Sequence, residues 1–203
     1  CLVEKLKFSS SYHTNFPLYL KKMLGIPVQF TNRFERWFHN AACVTFVNTP
    51  SHKKELEEIG IKKLALWSRG IDENIFSPTP SDRNNSYYLY VGRVSKEKNL
   101  ESFLSLELDK KKVVVGDGPS LKSLKKKYPD VEFLGYKFGR ELAEIYSNAC
   151  VKVFPSRTDT FGIVMIEANA CGTPVAGYPV TGPIDVVKNG VNGYLNEDLY
   201  QAI

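Results

Sequence analysis

Two basic side chains stand just beyond a strand-like segment, where they could bind one anionic group. Arg93 follows the apolar run Tyr87–Val91 through Gly92, and Lys98 comes five residues after Arg93. Arginine offers a planar fork of donors and lysine a compact charge, so the pair suits a phosphate group. Taken alone, the same two residues are equally typical of a solvated surface.

Two carboxylates mark a second candidate site in the segment Val153–Val175. Asp159 follows a strand-like run, and Glu167 comes after seven intervening residues, inside a predicted helix that begins at Gly162. A helix N-terminus attracts anions, and Glu167 lies about 7 Å along the axis at 1.5 Å per residue. The alternative assigns Asp159 to helix capping and Glu167 to a solvated face. The apolar and small neighbours of Glu167 favour a specific partner instead.

Glycines follow two further strand-like segments. Gly116 follows Lys112–Val115 and begins the sequence Gly-Asp-Gly-Pro, which is typical of a tight strand-to-helix turn. Leu121 occupies the place of the third glycine in the dinucleotide fingerprint, so the sequence argues against a dinucleotide-dependent dehydrogenase. Tyr136 follows Gly135 in a similar turn, where the backbone is free to contact a ligand.

Strand-like and helix-like segments alternate along the second half of the chain and must position these residues. Such alternation predicts right-handed βαβ units, an α/β fold and a doubly wound parallel sheet, in which ligands lie beyond the carboxyl ends of the strands. The predicted strands are Lys7–Tyr12, Cys43–Val47, Leu64–Trp67, Tyr87–Val91, Lys112–Val115, Val131–Leu134, Val151–Phe154 and Pro174–Ala176. The predicted helices are Phe30–Ala41, Ser51–Ile59, Leu100–Leu106, Ser120–Lys127, Arg140–Ser147 and Ile163–Ala170.

A predicted linker divides the chain into two domains. Residues 77–86 contain two prolines, several turn-forming residues and no large apolar side chain. We therefore expect part of a first Rossmann-like domain over residues 1–76 and a ligand-binding domain over residues 87–203. The chain begins with Cys1 rather than methionine, which favours a piece of a longer protein.

The composition is that of a soluble globular protein, with 43% hydrophobic residues, 24% charged residues and a net charge of +5. No apolar run reaches the ~20 residues that cross a bilayer, and the first residues do not resemble a signal peptide. The four cysteines show neither metal-ligand nor disulfide spacing, so we expect reduced, mostly buried thiols and no metal site. These observations favour a cytoplasmic location and no nucleic-acid partner.

The predicted helix Phe30–Ala41 is aromatic and basic, and two interpretations are open. Arg33, Arg36 and Trp37 could contact an anionic lipid surface, which would place the protein peripherally at the inner face of the cytoplasmic membrane. We favour the other interpretation, in which the aromatic stripe packs into the core of the domain.

Several motifs together resemble family 4 of the retaining glycosyltransferases, which have the two-domain GT-B fold. "VGRVSKEKN", "VVVGDGP", "VEFLGY" and "PSRTDTFGIVMIEANACGTPVA" occur in the family's order, and the resemblance covers most of Tyr87–Gly193. "SYHTNFP", "VNTPSHKKELEEIGI" and "WSRGIDENIF" resemble the second half of its N-terminal domain. The first half of that domain and the final helices of the family have no counterpart in this chain.

The resemblance implies a role for each matching residue. Arg93 and Lys98 match the pair that binds the donor diphosphate and stabilises the leaving group, and Glu167 matches the acid that binds the ribose hydroxyls. Asp159 takes the first position of the family's Glu-x7-Glu motif, near the donor sugar, and its shorter side chain is a departure from the pattern. His13 matches a histidine that faces that sugar. The remaining donor-binding residues that the resemblance implies are Gly92, Gly116, Tyr136, Lys137, Phe161, Gly162 and Ile163.

The implied activity is retaining transfer of a sugar from a nucleoside-diphosphate sugar to a lipid, glycan or small-molecule acceptor. The nucleotide sugar is a co-substrate, so we expect no cofactor. We also expect no metal, since Arg93, Lys98 and the helix end at Gly162 can stabilise the diphosphate. Two alternatives are a nucleotide-sugar-binding module without catalysis and a nucleotide-sugar epimerase of the same fold. We expect this chain by itself to bind the nucleotide and to transfer no sugar.

Overall fold

The computed structural model describes residues 7–13, 15–79, 86–159 and 161–203. By its contacts the chain divides into two compact units. The first unit is Cys1–Arg69 with Thr158–Phe161, and the second is Gly70–Arg157 with Gly162–Ile203. The predicted linker 77–86 falls mostly on residues 80–85, which lie outside the described residues, so that boundary stays a prediction.

The first unit is built on a small parallel sheet. Its described elements are β1 (Ser10–Tyr12), α1 (Phe16–Leu24), α2 (Val28–Ala41), β2 (Thr45–Val47), α3 (Pro50–Glu58) and β3 (Leu64–Leu66), and the strand order is β1-β2-β3. Thr49 caps α3 by accepting a hydrogen bond from the His52 amide, as the Thr-Pro-Ser sequence predicts.

Helix α2 buries a polar face, and the prediction that its aromatic stripe packs into the core is wrong. Thr31, Glu35 and His39, spaced by four residues, are buried. The exposed fractions of Phe30, Phe34 and Trp37 are 72%, 60% and 58%. The polar face is stable inside because its groups are hydrogen-bonded: His39 Nε2 lies 3.0 Å from Glu35 Oε2, and His39 Nδ1 lies 3.0 Å from Ser10 Oγ on β1.

The second unit alternates strands and helices. Its described elements are β4 (Tyr87–Val91), a 3-10 turn (Lys96–Lys98), α4 (Glu101–Leu104), β5 (Lys111–Val115), α5 (Leu121–Lys127), β6 (Glu132–Gly135), α6 (Gly139–Asn148), β7 (Val151–Phe154), α7 (Ile163–Ala170), β8 (Val175–Gly177), α8 (Pro183–Val186), β9 (Gly193–Leu195) and α9 (Leu199–Ala202).

The strands of the second unit form a large sheet in the order β6-β5-β4-β7-β8-β9, and every pairing between them is parallel. Alternate side chains of β4 enter different cores: Leu89 and Val91 pack on one face, and Tyr90 packs on the other. The predicted doubly wound parallel sheet is confirmed. Strand order reverses between β4 and β7, which is where such sheets open a crevice at their carboxyl ends.

The predicted elements agree well with the structure, with three kinds of difference. The bounds of β4, β7 and α7 are those predicted, and the other predicted strands agree within a few residues. The predicted helix Leu100–Leu106 is shorter in the structure, where α4 covers Glu101–Leu104. A 3-10 turn at Lys96–Lys98 precedes it. Helices α1, α8 and α9 and strand β9 were not predicted, and the last three have only three or four residues each.

The loops that follow β4 and β5 touch through their backbones. A Cβ placed on Gly116 would lie 1.9 Å from the Gly92 carbonyl oxygen, and one on Gly118 would lie 2.3 Å from that of Val94. Gly92 donates to the Val115 carbonyl at 3.0 Å, and Val94 donates to that of Asp117 at 2.8 Å. Glycine is therefore required at 116 and 118 by close packing of the two loops.

Gly116→Ala tests this packing. We expect it to lower the free energy of unfolding by more than about 3 kcal/mol, because a methyl group cannot fit against the Gly92 carbonyl. Gly190→Ala is the matched control, since Gly190 also has positive φ (+75°) but no described atom lies within 4 Å of its added Cβ. It should cost about 1–2 kcal/mol. Urea unfolding measures both, and equal losses would contradict the close packing.

Candidate functional site

The cations Arg93 and Lys98 lie beyond β4, beside the point where strand order reverses, and an acid lies with them. Glu97 accepts a hydrogen bond from Ser95 at 2.6 Å. Burial opposes ionisation of Glu97, but the Ser95 hydroxyl and the charges of Arg93 and Lys98 outweigh it, so its pKa is lowered. Glu97 therefore remains a carboxylate that offsets part of the positive charge.

The backbone of the Arg93 loop is held from both sides of the strand reversal. The Tyr90 hydroxyl donates to the Arg93 carbonyl at 2.8 Å. Asn99 adopts a left-handed conformation (φ +55°), and its amide donates to the Pro155 carbonyl, just beyond β7, at 3.2 Å. The position of Arg93 is thus set by contacts from β4 and its neighbours, before any ligand binds.

Helix α7 begins beyond β7, on the other side of the reversal. Its N-cap residue is Gly162, which has no side chain that could accept from the first backbone N–H groups. Gly162 has φ +77°, and a Cβ there would lie 2.8 Å from the Phe154 ring, so the helix start packs directly on the end of β7. Ile163 is 37% exposed. Backbone N–H groups at such an end suit a phosphate.

Glu167 is half-buried in α7 and has a specific partner. The hydroxyl of fully buried Tyr146, on α6, donates to Glu167 Oε2 at 2.9 Å. Burial raises the pKa of Glu167, while the Tyr146 hydrogen bond and the charge of Lys152 act to lower it. Burial and the nearby Glu167 charge also raise the pKa of Tyr146. Tyr146 thus stays a neutral donor, and the carboxylate retains lone pairs for a ligand hydroxyl.

The remaining predicted donor residues have defined surroundings. Tyr136, beyond β6, is 62% exposed and stacks on Phe138, with ring centroids 5.9 Å apart. Lys137 forms an ion pair with Glu141, so its side chain is held along α6 while its backbone remains at the strand end. Gly116 donates to the Gly135 carbonyl at 2.8 Å, which ties the ends of β5 and β6 together.

His13, Asp159 and Phe161 belong to the first unit by their contacts, whereas the other predicted site residues belong to the second. His13 follows β1, and its Nδ1 lies 3.1 Å from the amide nitrogen of Asn48, which follows β2. An amide nitrogen donates, so Nδ1 accepts and a neutral ring carries its proton on Nε2. That Asp159 and His13 join the donor site stays a prediction.

Sequence reasoning missed Glu97, Asn99 and Tyr146. Asn99 had a local signal, because asparagine tolerates the left-handed conformation better than most residues. Glu97 and Tyr146 had none, since an acid among lysines is typical of a surface and a tyrosine on a helix is typical of a core.

A family model supplies the decisive comparison. Residues 71–200 match the model of the glycosyl transferases group 1. The chain belongs to this family.

Relatives of this group 1 glycosyltransferase chain include enzymes from bacteria and plants. It is 35% identical over 170 residues to a GDP-mannose-dependent alpha-mannosyltransferase of Corynebacterium glutamicum, covering 77% of this chain and 41% of the relative. It is 30% identical over 211 residues to the sulfoquinovosyl transferase SQD2 of Arabidopsis thaliana, covering 91% of this chain and 41% of the relative. The chain thus spans about two-fifths of the length of these curated relatives.

Solved structures support the GT-B fold. Anabaena Alr3699/HepE, solved in complex with UDP and glucose, superposes with a TM-score of 0.75 at 20% identity, over 96% of this chain and 59% of that one. TarM superposes with a TM-score of 0.77 at 16% identity, over 95% of this chain and 40% of that one.

Tyr146→Phe tests the support of Glu167 in this glycosyltransferase. We expect the free energy of unfolding to fall by about 1.5–3 kcal/mol at neutral pH, because a hydrogen bond to a charged group is lost. The loss should shrink as pH falls through the pKa of Glu167, since a protonated carboxyl accepts a weaker hydrogen bond than a carboxylate does. Chemical unfolding at several pH values measures it.

Tyr87→Phe is the control for Tyr146→Phe. The Tyr87 hydroxyl donates at 2.8 Å to the Ile145 carbonyl, a neutral acceptor on α6, the helix that also carries Tyr146. Its loss should cost about 0.5–1.5 kcal/mol with little pH dependence between pH 4 and 7. The same pH dependence in both variants would contradict a specific bond to ionised Glu167.

Proposed function

We propose that the second unit binds a nucleoside-diphosphate sugar and that the whole protein transfers the sugar to a lipid, glycan or small-molecule acceptor with retention of anomeric configuration. The observation that carries the proposal is the placement of two cationic features on either side of the strand reversal. Arg93 and Lys98 follow β4, and the N-terminus of α7 at Gly162 follows β7. Parallel sheets bind ligands at this point.

The diphosphate is the part of the donor that these groups suit. Transfer of the sugar breaks its bond to the β-phosphate, and negative charge grows on the leaving oxygen. Fixed donors aimed at that charge lower the barrier. Arg93, Lys98 and the backbone N–H groups of α7 can fill this role, so we propose that no metal ion is needed.

The nucleoside end is assigned to Glu167 and the loop after β6. A half-buried carboxylate that already holds Tyr146 by one oxygen has the second free to accept from the ribose hydroxyls. The backbone near Tyr136 and Lys137 is assigned to the base. Because relatives carry GDP-mannose in their names and a neighbour was solved with UDP, guanosine and uridine diphosphates are the nucleotides to test.

The sugar end is assigned to Asp159, with Phe161 and Ile163 contributing backbone contacts, and to His13 on the acceptor side. No residue is assigned as a nucleophile, so we propose that the acceptor attacks from the same face that the diphosphate leaves. Asp159 is one methylene shorter than the glutamate of the family motif, which enlarges this end of the site.

The 203-residue chain is proposed to bind nucleotide without transferring sugar. This is supported by its span of about two-fifths of its curated relatives. A nucleotide-sugar-binding module would bind the nucleotide and would transfer no sugar, even in the complete protein. An epimerase of the same fold would change the sugar without an acceptor. Analysis of the sugar product of the complete protein separates the three.

Binding of nucleoside diphosphate in the presence of excess chelator tests the proposal most directly. By calorimetric titration we expect the chain to bind guanosine or uridine diphosphate whether or not chelator is present. Arg93→Ala and Lys98→Ala should each weaken binding by about 1.5–3 kcal/mol, because a charged hydrogen bond is lost.

Lys126→Ala is the control, since Lys126 is exposed near the end of α5, which leads to the amino end of β6 rather than to the carboxyl ends of the strands. It should leave the affinity unchanged. Binding that requires magnesium or manganese would contradict the proposed leaving-group chemistry. Unchanged affinity in Arg93→Ala and Lys98→Ala would remove these residues from the site.

We also propose that the first unit contacts an anionic membrane surface through α1 and α2. Residues 15–45 contain the basic residues Lys21, Lys22, Arg33 and Arg36, and their one acid, Glu35, is buried. The exposed Phe30, Phe34 and Trp37 lie on the same helix as the two arginines. Aromatic and basic side chains together suit the lipid headgroup region. No helix of the described residues is long and apolar enough to cross a bilayer.

Tryptophan fluorescence tests this surface, because the chain has two tryptophans. Trp67→Phe leaves Trp37, whose emission should shift to shorter wavelength with phosphatidylglycerol vesicles and not with phosphatidylcholine vesicles. Reversing the charge at both Arg33 and Arg36 should weaken vesicle binding about tenfold or more, at about 1 kcal/mol per charge. Trp37→Phe, which leaves Trp67, is the control and should show no shift. An unshifted Trp37 would contradict the proposal.

A further inference from the structure

Lys152 is a fully buried lysine in β7, at the centre of the large sheet. Its exposed fraction is 0%, and its neighbours in the strand are Val151, Val153 and Phe154. It pairs in register with Leu89 on β4 and with a valine on β8. An ammonium group at such a position costs free energy unless it is compensated, so an apolar residue would be the simpler choice for folding alone.

The ammonium of Lys152 lies beneath the two halves of the donor site. Its Nζ donates to the Val153 carbonyl at 3.2 Å and lies 4.4 Å from the centroid of the Phe154 ring. That same ring contacts the start of α7, because a Cβ at Gly162 would lie 2.8 Å from it. Cation and ring attract each other at this distance. The lysine thus supports the ring on which the helix N-terminus rests.

On its other side the ammonium approaches the loop that carries Arg93. It lies 5.7 Å from the centroid of the Tyr90 ring, whose hydroxyl donates to the Arg93 carbonyl at 2.8 Å. One buried charge therefore adjoins an aromatic residue from each side of the strand reversal.

Lys152 also acts on Glu167. The lysine charge favours the ionised form of this carboxyl, whereas burial disfavours it. The other groups that face Glu167 are the Tyr146 hydroxyl from α6 and the Cys171 thiol at the end of α7. Of the three, Lys152 alone brings a positive charge.

We infer that Lys152 is a positioning residue of the donor site, which holds the Phe154 ring against the start of α7 and the Tyr90 ring against the Arg93 loop, and whose charge favours the ionised form of Glu167, the carboxylate proposed to accept the ribose hydroxyls. The inference rests on the proposed donor binding. Lys152 is then a third cation of this site beside Arg93 and Lys98, and it acts from inside the sheet without touching the ligand.

Lys152→Met tests the inference, because methionine has a similar length and no charge. We expect the variant to bind guanosine or uridine diphosphate more weakly than the unmodified chain, and the difference should approach about tenfold at pH values below the pKa of Glu167 if that pKa rises by about one unit. The pH profile should also change. Binding requires ionised Glu167 and is lost as pH falls through its pKa, so removing the lysine charge should move this loss to higher pH.

Three variants separate positioning from folding. Lys152→Arg keeps the charge and should restore the pH profile more fully than Lys152→Gln, even if both lower stability. Lys112→Met removes a partly buried lysine of β5 that donates to the Leu104 and Leu106 carbonyls, and these leucines pack in a different core cluster from α7. It should lower stability without moving the pH profile.

Titration of the Glu167 carboxyl by carbon-13 NMR, without nucleotide, provides a readout that is independent of donor binding. Its pKa should be higher in Lys152→Met, or in Lys152→Gln if the methionine variant does not fold, than in the unmodified chain. An unshifted titration would overturn the inference even if nucleotide binds. A shifted titration in a chain that binds neither nucleotide would uphold the electrostatic link and refute the proposed function instead.

Discussion

In the large sheet, β4 is hydrogen-bonded to β5 on one side and to β7 on the other, and both pairings are parallel. The chain therefore leaves the carboxyl ends of β4 and β7 in opposite directions, and a crevice opens between the two loops. Arg93 and Lys98 follow β4 on one side of this point, and the start of α7 follows β7 on the other. Each part of the proposed donor site depends on this reversal of strand order.

The loops at the crevice are held by the protein before a ligand arrives. Gly116 and Gly118 let the loop after β5 pack against the backbone of Gly92 and Val94, and Asn99 ties the segment after β4 to the end of β7. A loop with its backbone bonds already made loses little further freedom on binding. The glycines thus serve the proposed donor site by packing the two loops together, whether or not their own backbone touches a ligand.

Charge in the second unit is arranged in opposed pairs around the crevice. Glu97 lies with Arg93 and Lys98, and Lys152 acts on Glu167 from inside the sheet. A hydroxyl donor and a nearby cation favour the ionised form of each acid; the pKa of Glu97 is lowered, whereas burial still raises the pKa of Glu167. In the proposed donor site, the cations beyond β4 bind the diphosphate and the carboxylate of α7 binds a ribose hydroxyl.

The sequence by itself determined the alternation of strands and helices, the bounds of β4, β7 and α7, and the residue types beyond each strand, because apolar runs and turn-forming residues are local signals. Only the tertiary structure decided which distant groups meet. Tyr146 reaches Glu167 from 21 residues away, and α2 turns Glu35 and His39 inward since Ser10 on β1 supplies a hydrogen-bonding partner. Hydrophobic periodicity counts apolar residues along one helix, and it carries no information about a polar partner on another element.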